Sequence, residues 1–235
     1  MVICSALGLH EFYRMALPGR SGGCSLPTGC GALLPLLFYY GFGAQAPAFL
    51  TAATLAIALF YLFSVNDLKT SATEFALTVS GFLYVPLLLG HLVLMRELPH
   101  GIQWIFLLLL LVMSGDTGAY YVGRSLGRRK LYPLVSPNKS VEGALGGLGG
   151  SLLGALVAGG TFFPELTVAD CFLTALVIGP LGQMGDLFES LLKRSFGVKD
   201  SGTIIPGHGG ILDRLDSILF AAPALYYYAA LKGIS

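Results

Sequence analysis

Long apolar runs constrain the fold of this 235-residue chain more than any other feature of its sequence. A membrane-spanning α-helix needs about 20 apolar residues, and runs of that kind recur along the chain. They lie at roughly 26–43, 47–65, 75–95, 102–122, 143–163, 167–184 and 211–230, with a weaker, polar-punctuated segment at roughly 2–17. Only 11% of the residues are charged, whereas soluble domains are about 25% charged. We therefore predict an all-α, polytopic integral membrane bundle of about eight transmembrane helices.

The distribution of Lys and Arg predicts how these helices are oriented. Successive transmembrane helices cross the membrane in alternating directions. If the N-terminus lies outside, 12 of the 14 Lys and Arg residues then lie at or near the cytoplasmic side, and the exceptions are Arg96 and Lys232. The positive-inside rule favours this orientation. It puts two long polar loops, at roughly 123–142 and 185–210, in the cytoplasm. We expect a protein of the cell inner membrane whose active site faces the cytoplasm.

The remaining connections are short, so we expect a single membrane-embedded domain over residues 1–235. Within it, residues 1–100 form N-terminal helices and residues 101–235 form catalytic helices and loops. A net charge of +1 offers no general attraction for polyanions, and we predict no nucleic-acid partner. The glycine-rich segment at 143–160 lacks the GK[ST] ending of a phosphate-binding loop, and small residues at this spacing favour close packing of membrane helices.

Acidic residues recur at helical spacing near the C-terminus. Asp186 and Glu189 are three residues apart, with Lys193 four residues further on, so all three share one face of a helix. Asp213 and Asp216 repeat the three-residue spacing. Carboxylates delivered from two helices suit Mg²⁺, which takes one or two of them and completes its shell with water and substrate phosphates.

An alternative use of these acids is structural. Asp186 would then pair with Lys193, and Asp213 with Arg214 or Lys199, as buried ion pairs that stabilise the bundle. The residues alone leave both interpretations open.

Basic residues gather in or beside the same two loops, and they are Lys139, Lys193, Arg194, Lys199 and Arg214. The segments 136–140 and 208–210 could add backbone N–H groups that hold phosphate oxygens. A surface that only anchors lipid headgroups would explain the bases but not the acids between them. Carboxylates suited to Mg²⁺ beside several bases instead indicate a polyphosphate site.

The same residues resemble the signature of the phosphatidate cytidylyltransferase family, also called CDP-diacylglycerol synthases. The resemblance rests on the run Ser190-x-Leu192-Lys193-Arg194-x4-Lys199-Asp200-x-Gly202-x2-Ile205-Pro206-x-His208-Gly209-Gly210-Ile211-x-Asp213-Arg214-Leu215-Asp216. Further similar motifs are Asp116-Thr117-Gly118-Ala119-Tyr120, Gly123-Arg124, Ser136-Pro137-Asn138-Lys139-Ser140-Val141-Glu142-Gly143, Gly185-Asp186-x2-Glu189-Ser190 and Glu11-Phe12-Tyr13-Arg14. Asn138 and Ser140 depart from the Lys and Thr of the commoner family form. From the resemblance we also expect the chain to begin after the family's usual first transmembrane helix.

The resemblance implies that the phosphate of phosphatidic acid attacks the α-phosphorus of CTP, giving CDP-diacylglycerol and pyrophosphate. It implies Mg²⁺ as cofactor, with a second, monovalent cation and a homodimer as open options, and membrane lipid as surroundings. The expected metal ligands are Asp186, Asp213, Asp216 and Glu189. The expected catalytic residues are Asp186, Asp213, Lys193, Lys199 and Arg214. The expected substrate-binding residues are Asp116, Ser136, Asn138, Lys139, Arg194, His208, Gly209 and Gly210.

Two other functions fit parts of the sequence. A CTP-using enzyme that acts on an isoprenoid lipid would share the Asp116 and Ser136 motifs, but the complete run from Lys199 to Asp216 argues against it. A catalytically silent scaffold or lipid carrier would not need the acids and bases, and nucleotide turnover would exclude it. We expect His208 to contact phosphate or shape its turn rather than act as a base, since the attacking phosphate ionises by itself.

Overall fold

Eight helical rods make up most of the chain that the computed structural model describes, which comprises residues 1–20, 24–65, 67–204 and 209–233. They are α1 (Val2–Ala16), α2 (Ser25–Tyr39), α3 (Ala46–Phe63), α4 (Leu68–Phe82) joined through the π-helical turn Leu83–Leu87 to α5 (Leu88–Glu97), α6 (Gly101–Leu126), α7 (Val141–Gly160), α8 (Val168–Ser195) and α9 (Leu212–Lys232). Each predicted apolar run corresponds to one rod. The predicted all-α class is confirmed.

Five of the described helical segments are long and apolar enough to cross a membrane, and they are Phe42–Phe63, Leu68–Glu97, Gly101–Leu126, Val141–Gly160 and Val168–Ser195. Helices α1 and α2 have 15 residues each, which is short of the roughly 20 needed to span a bilayer. Helix α9 carries three charged residues in its first two turns. The membrane class is confirmed, while spanning by α1, α2 and α9 stays a prediction.

Side-chain caps fix where several helices begin. Asp67 caps α4, Ser140 accepts the N–H of Gly143 at the start of α7, and Thr167 and Asp170 form a capping box at the start of α8. Each cap satisfies backbone N–H groups that have no partner inside the helix. A polar residue directly before an apolar run therefore marks these boundaries in the sequence.

The two segments predicted as polar loops contain more regular structure than expected. Helix α6 runs to Leu126, and an antiparallel hairpin of β1 (Lys130–Tyr132) and β2 (Ser136–Ser140) follows. The predicted start of the second loop at residue 185 is wrong, because α8 continues to Ser195. Leu, Glu, Lys and Arg favour helix in its last turns, and basic residues there interact favourably with the helix dipole.

The chain divides into two compact units. The first unit contains Met1–Leu94 and Asp200–Arg214, and the second contains Met95–Lys199 and Leu215–Ser235. The boundary near residue 214 falls inside α9, so this helix contributes its first turn to one unit and its remainder to the other.

Polar contacts between helices hold the first unit together. Tyr13 of α1 is 1% exposed, and its hydroxyl donates a hydrogen bond to the carbonyl oxygen of Thr78 over 2.9 Å. Arg20 and Glu74 form an ion pair at 2.7 Å, with both side chains largely buried. The polar residues that interrupt the apolar pattern therefore fasten the start of the chain to α4.

Backbone contact between α6 and α7 organises the second unit. A Cβ atom added to Gly118 of α6 would lie 2.5 Å from the carbonyl oxygen of Gly146 and 3.2 Å from Cα of Gly150. Ser151 of α7 is fully buried, and its hydroxyl donates to the carbonyl oxygen of Leu111 over 2.9 Å. The glycine-rich segment is thus a helix-packing surface, as predicted.

We predict that Gly118→Ala lowers the thermal stability of the detergent-solubilised protein. The added methyl group would meet backbone atoms, which cannot move aside as a side chain can, and overpacking of this kind costs about 1–3 kcal/mol. Gly149→Ala on α7 is the matched control, since nothing lies within 4 Å of its Cβ position and Ala favours helix over Gly by about 1 kcal/mol. Thermal unfolding should rank Gly118→Ala below wild type and Gly149→Ala at or above it. Equal midpoints for the two variants would contradict the backbone contact.

Candidate active site

A cavity of about 550 Å³ opens in the second unit, beside α6, the hairpin, the start of α7, and α8. Its volume lies within the range of about 300–1,000 Å³ typical of small-molecule sites. Five residues predicted as site residues line it, and they are Asp116, Ser136, Asn138, Lys139 and Asp186. Motifs that are far apart in the sequence therefore meet at one place.

Close backbone approach builds the wall of this cavity. The hydroxyl of Ser140 accepts the N–H of Gly143 over 3.1 Å, which ends β2 and starts α7. A Cβ atom on Gly127 would lie 2.7 Å from that hydroxyl oxygen, and one on Gly123 would lie 3.3 Å from it. Glycines at the end of α6 thus let the hairpin fold back against the helix.

Lys139 and Asp186 form an ion pair within the cavity. Lys139 Nζ lies 2.5 Å from Asp186 Oδ2, and the two side chains are 27% and 35% exposed. β2 supplies the lysine and α8 supplies the acid. The alternative in which Asp186 pairs with Lys193 is wrong, because Asp186 pairs with Lys139 and Lys193 pairs with Glu189.

Three aspartates lie within electrostatic range of one another near the cavity, and two of them, Asp116 and Asp186, line it. Asp116 lies within electrostatic range of Asp186 and Lys139, and Asp216 lies within range of Asp186, Asp116 and Lys193. Gly185 permits this on the α9 side, since a Cβ atom there would collide with the backbone oxygen of Asp216. Helices α6, α8 and α9 therefore each bring one carboxylate to the site.

The acids at the cavity lie within helices rather than in loops. Asp116 and Asp186 precede the ends of α6 and α8 by ten and nine residues, or about 14–15 Å along each helix axis. The helical placement predicted for Asp186, Glu189 and Lys193 from their spacing is therefore confirmed. Substrates that reach these carboxylates must therefore extend past the C-terminal ends of α6 and α8, toward the middle of each helix.

Glu189 and Lys193 form a second ion pair on α8. Glu189 is fully buried, and Lys193 Nζ lies 2.8 Å from its Oε2. Burial of an ionised carboxylate in apolar surroundings requires such a partner. Glu189 is thus a counter-ion of Lys193 here, and its predicted role as a metal ligand stays a prediction.

Among the described residues, no three His, Cys, Asp or Glu side chains are gathered closely enough to form a ready metal site. Mg²⁺ needs only one or two protein carboxylates when substrate phosphates complete its shell. Asp186 already binds a cation, the ammonium group of Lys139. The donor set around Asp116, Asp186 and Asp216 therefore fits Mg²⁺ in its chemistry.

Asp213 lies in the first unit, where its carboxylate accepts hydrogen bonds. Its Oδ2 accepts from the N–H of Ser201 at 3.0 Å, the hydroxyl of Ser201 at 2.9 Å and the N–H of Gly210 at 2.8 Å. Gly209 has φ of +82°, a backbone conformation that glycine adopts readily. Asp213 thus joins Ser201 to Gly210 in this structure, and its metal-binding role stays a prediction.

The remaining predicted site residues have no described contact with the cavity. Arg194 and Lys199 are exposed and do not line the cavity, and Arg214 is an exposed residue of α9. Their predicted contacts with phosphate stay predictions. His208 lies outside the described residues.

Sequence reasoning missed several residues that build the site. Tyr120, Arg124 and Gln183 also line the cavity, and Arg124 donates to the hydroxyl of Tyr120 over 2.9 Å. Glu142 accepts the N–H groups of Arg128 and Arg129, at 3.0 and 3.1 Å, and so fixes the path from α6 to β1. The motif around Gly123-Arg124 carried a signal for Arg124, whereas Gln183 lies outside the motifs.

Comparison with known proteins shows which family the chain is similar to. A family model described as "Cytidylyltransferase family" matches residues 1–232. The phosphatidate cytidylyltransferase of Bacillus subtilis (strain 168) is 39% identical over 237 residues, which cover 98% of this chain and 88% of that protein. Those of Staphylococcus saprophyticus and Staphylococcus haemolyticus are 47% and 49% identical over 139 and 127 residues, covering 58% and 53% of this chain and 53% and 48% of those proteins.

The first of these relatives aligns along nearly the whole chain, and the family match includes both the cavity of the second unit and the Asp213 segment of the first. The chain therefore belongs to the cytidylyltransferase family of enzymes.

Proposed function

We propose that the protein transfers the cytidylyl group of CTP to phosphatidate, giving CDP-diacylglycerol and pyrophosphate. The name shared by its relatives supports this proposal, as does the resemblance of its motifs to that family. The observation that carries it is the meeting of three aspartates with two lysines beside a cavity of nucleotide size. Acids interleaved with bases are suited to a metal-bound polyphosphate.

The proposed reaction is a substitution at the α-phosphorus of CTP. A phosphate oxygen of phosphatidate forms a bond to this phosphorus while the bond to the oxygen bridging to the β-phosphate breaks. The electron pair of the broken bond leaves with pyrophosphate. Because the second pKa of a phosphomonoester is near about 6, the attacking group is largely ionised at neutral pH and needs no general base.

The chief barrier is the approach of one polyanion to another, so fixed positive charge must do most of the work. Lys139 and Arg124 line the cavity and would bind the triphosphate, with Lys139 next to the departing pyrophosphate. Lys193, held by Glu189, adds a positive charge beside Asp216. Asp186, with Asp116 or Asp216, would hold Mg²⁺, which neutralises phosphate charge when bound.

The helical fold supports the lipid and membrane parts of the proposal. The acids lie inside the helical layer, so a lipid phosphate would reach them without leaving the membrane region. CTP is a soluble cytoplasmic metabolite. We therefore propose that the protein lies in the inner membrane with its hairpin on the cytoplasmic side. A homodimer and a monovalent cation remain predictions.

We predict that Asp186→Asn lowers turnover by at least about 10²-fold, because it removes the charge that holds both Lys139 and the proposed metal. The variant should remain folded, since Asp186 is partly exposed. Purified protein with phosphatidate, radiolabelled CTP and Mg²⁺ measures the rate, and omission of Mg²⁺ should abolish wild-type turnover.

Asp170→Asn is the matched control for this experiment. Asp170 caps α8 at its other end, accepts from Tyr228 at 2.5 Å and pairs with Lys232. Its substitution should lower thermal stability while the folded fraction keeps its specific activity. Near-normal turnover by Asp186→Asn would show that Asp186 does not hold the proposed metal.

Lys139→Met should lower both the maximal turnover and the Mg²⁺ concentration that the enzyme requires. Turnover at saturating Mg²⁺ should fall by about 10²-fold, since a preorganised positive charge is lost. The Mg²⁺ concentration at half-maximal rate should also fall, because the ammonium group no longer competes for Asp186. Binding of Mn²⁺ followed by electron paramagnetic resonance gives a second readout, and Lys130→Met on the exposed part of β1 is the control. A higher metal requirement in Lys139→Met would contradict the competition.

Accessibility labelling tests the orientation. In a background lacking the four native cysteines, Leu134→Cys at the hairpin and Ser195→Cys at the end of α8 should react with a membrane-impermeant thiol reagent only from the cytoplasmic side. Thr161→Cys, between α7 and α8, should react only from the outside. All three positions are exposed. The reverse pattern in intact cells would overturn the topology and separate the site from CTP.

A further inference from the structure

A buried carboxylate on α1 has a set of partners that the proposed reaction does not use. Glu11 is 2% exposed. Its Oε1 accepts the N–H of Ile211 at 3.0 Å, and its Oε2 accepts the N–H of Leu212 at 2.9 Å and the hydroxyl of Ser201 at 3.1 Å. All of these residues belong to the first unit. Two backbone amides donate to this carboxylate, and the Ser201 hydroxyl, whose single hydrogen is shared with Asp213, lies beside it.

Two of the donors are backbone groups at the start of α9. Leu212 is the first residue of that helix, and the N–H groups of a first turn have no partner inside the helix. A negative charge at this end is also favoured by the helix dipole. Glu11 therefore caps α9 from a position 200 residues earlier in the chain.

Two glycines of the signature run make room for this cap. A Cβ atom on Gly202 would lie 2.8 Å from Glu11 Cδ, and one on Gly210 would lie 2.7 Å from the same atom. Side chains at either position would push the carboxylate away from the helix. The spacing of these glycines is thus explained by Glu11 rather than by contact with phosphate alone.

Ser201 connects Glu11 to Asp213. Its hydroxyl oxygen lies 3.1 Å from Glu11 Oε2 and 2.9 Å from Asp213 Oδ2, and its N–H donates to the same oxygen of Asp213 over 3.0 Å. Ser201 is 3% exposed, so the connection is shielded from water. The single hydroxyl hydrogen of Ser201 serves one carboxylate at a time, while the N–H of Ser201 donates to Asp213 throughout. Ser201 therefore holds the carboxylates of Glu11 and Asp213 on either side of one hydroxyl oxygen.

We propose that Glu11 is a positioning residue of the transfer reaction. Through Ser201 and the first amides of α9, it sets the direction of Asp213, the predicted metal ligand, and of Arg214, the predicted phosphate contact. It touches no substrate itself. This inference rests on the proposed function and extends it to a helix that carries no other predicted site residue.

Glu11→Gln tests the inference with little change of shape. In either orientation of the amide, its NH₂ group faces one of the two backbone N–H groups of α9, and that donor loses its acceptor. We expect kcat to fall by about 10²-fold, the scale of a displacement of about 1 Å at a reacting group, with KM for CTP little changed. Amide hydrogen exchange in the peptide 209–216 should become faster. Glu97→Gln, at an exposed glutamate, should change neither quantity.

Ser201→Ala and the double variant separate positioning from a general loss of stability. Ser201→Ala should lower kcat by about tenfold, as expected for one hydrogen bond to a charged group. If Glu11 and Ser201 act as one unit, the double variant should be no slower than Glu11→Gln alone. Thermal unfolding and size-exclusion chromatography of each variant give the folded fraction, to which the rates are normalised.

Three results would overturn the inference. They are a kcat of Glu11→Gln close to that of wild type, a loss of rate that only follows the folded fraction, and multiplication of the two single effects in the double variant. Absence of turnover with CTP and phosphatidate in the wild-type protein would instead refute the proposed function. In that case the exchange rates of 209–216 would still show whether Glu11 holds the start of α9.

Discussion

An ionised carboxylate inside an apolar helical protein must be given hydrogen-bond donors or a cation, since burying it alone costs several kcal/mol or more. The described structure meets this requirement in different ways. Asp170 is used as a cap, Glu74 and Glu189 are paired with basic residues, and Glu11 is surrounded by amides. Asp186 differs because its partner, Lys139, comes from a hairpin at the cavity. Glu74 and Glu189 pair with cations away from the cavity, whereas Asp186 and Lys139 both line it, so another cation that enters the cavity can compete for Asp186.

The helices could be predicted because a chain in lipid must satisfy its own backbone hydrogen bonds. Apolar length therefore specifies the rods, and polar residues such as Asp67 and Thr167 specify their first turns. The hairpin was missed since its strands are short and polar, and Pro137 within β2 weakens the pattern of a strand. The end of α8 was misplaced because charge was taken as a sign of loop, although Lys193 and Arg194 stabilise a helix terminus.

The composition of the site was easier to predict than its connections. Helical spacing and motifs indicated Asp116, Lys139 and Asp186, and all three line one cavity. Spacing in the sequence cannot show which lysine pairs with which acid. The hairpin that carries Lys139 sets the distance between Lys139 and Asp186, and the sequence pattern did not predict this hairpin. The partners of Glu11 were beyond prediction for the same reason, since a contact across 200 residues leaves no local periodicity. Both contacts depend on glycines whose meaning is visible only when the neighbouring backbone is known.

The cap that α1 provides to α9 has a consequence for how the protein is made. Ribosomes add about 5–20 residues per second, so Glu11 is synthesised tens of seconds before the amides of Ile211 and Leu212 exist. During that interval its carboxylate needs water or another partner, and α1 cannot occupy its final apolar surroundings without cost. Completion of the first unit must therefore wait for the last helix to be synthesised. A nascent chain interrupted before α9 would carry a first helix whose carboxylate lacks the amides of α9, and a quality-control system sensitive to exposed charge in the bilayer can recognise it.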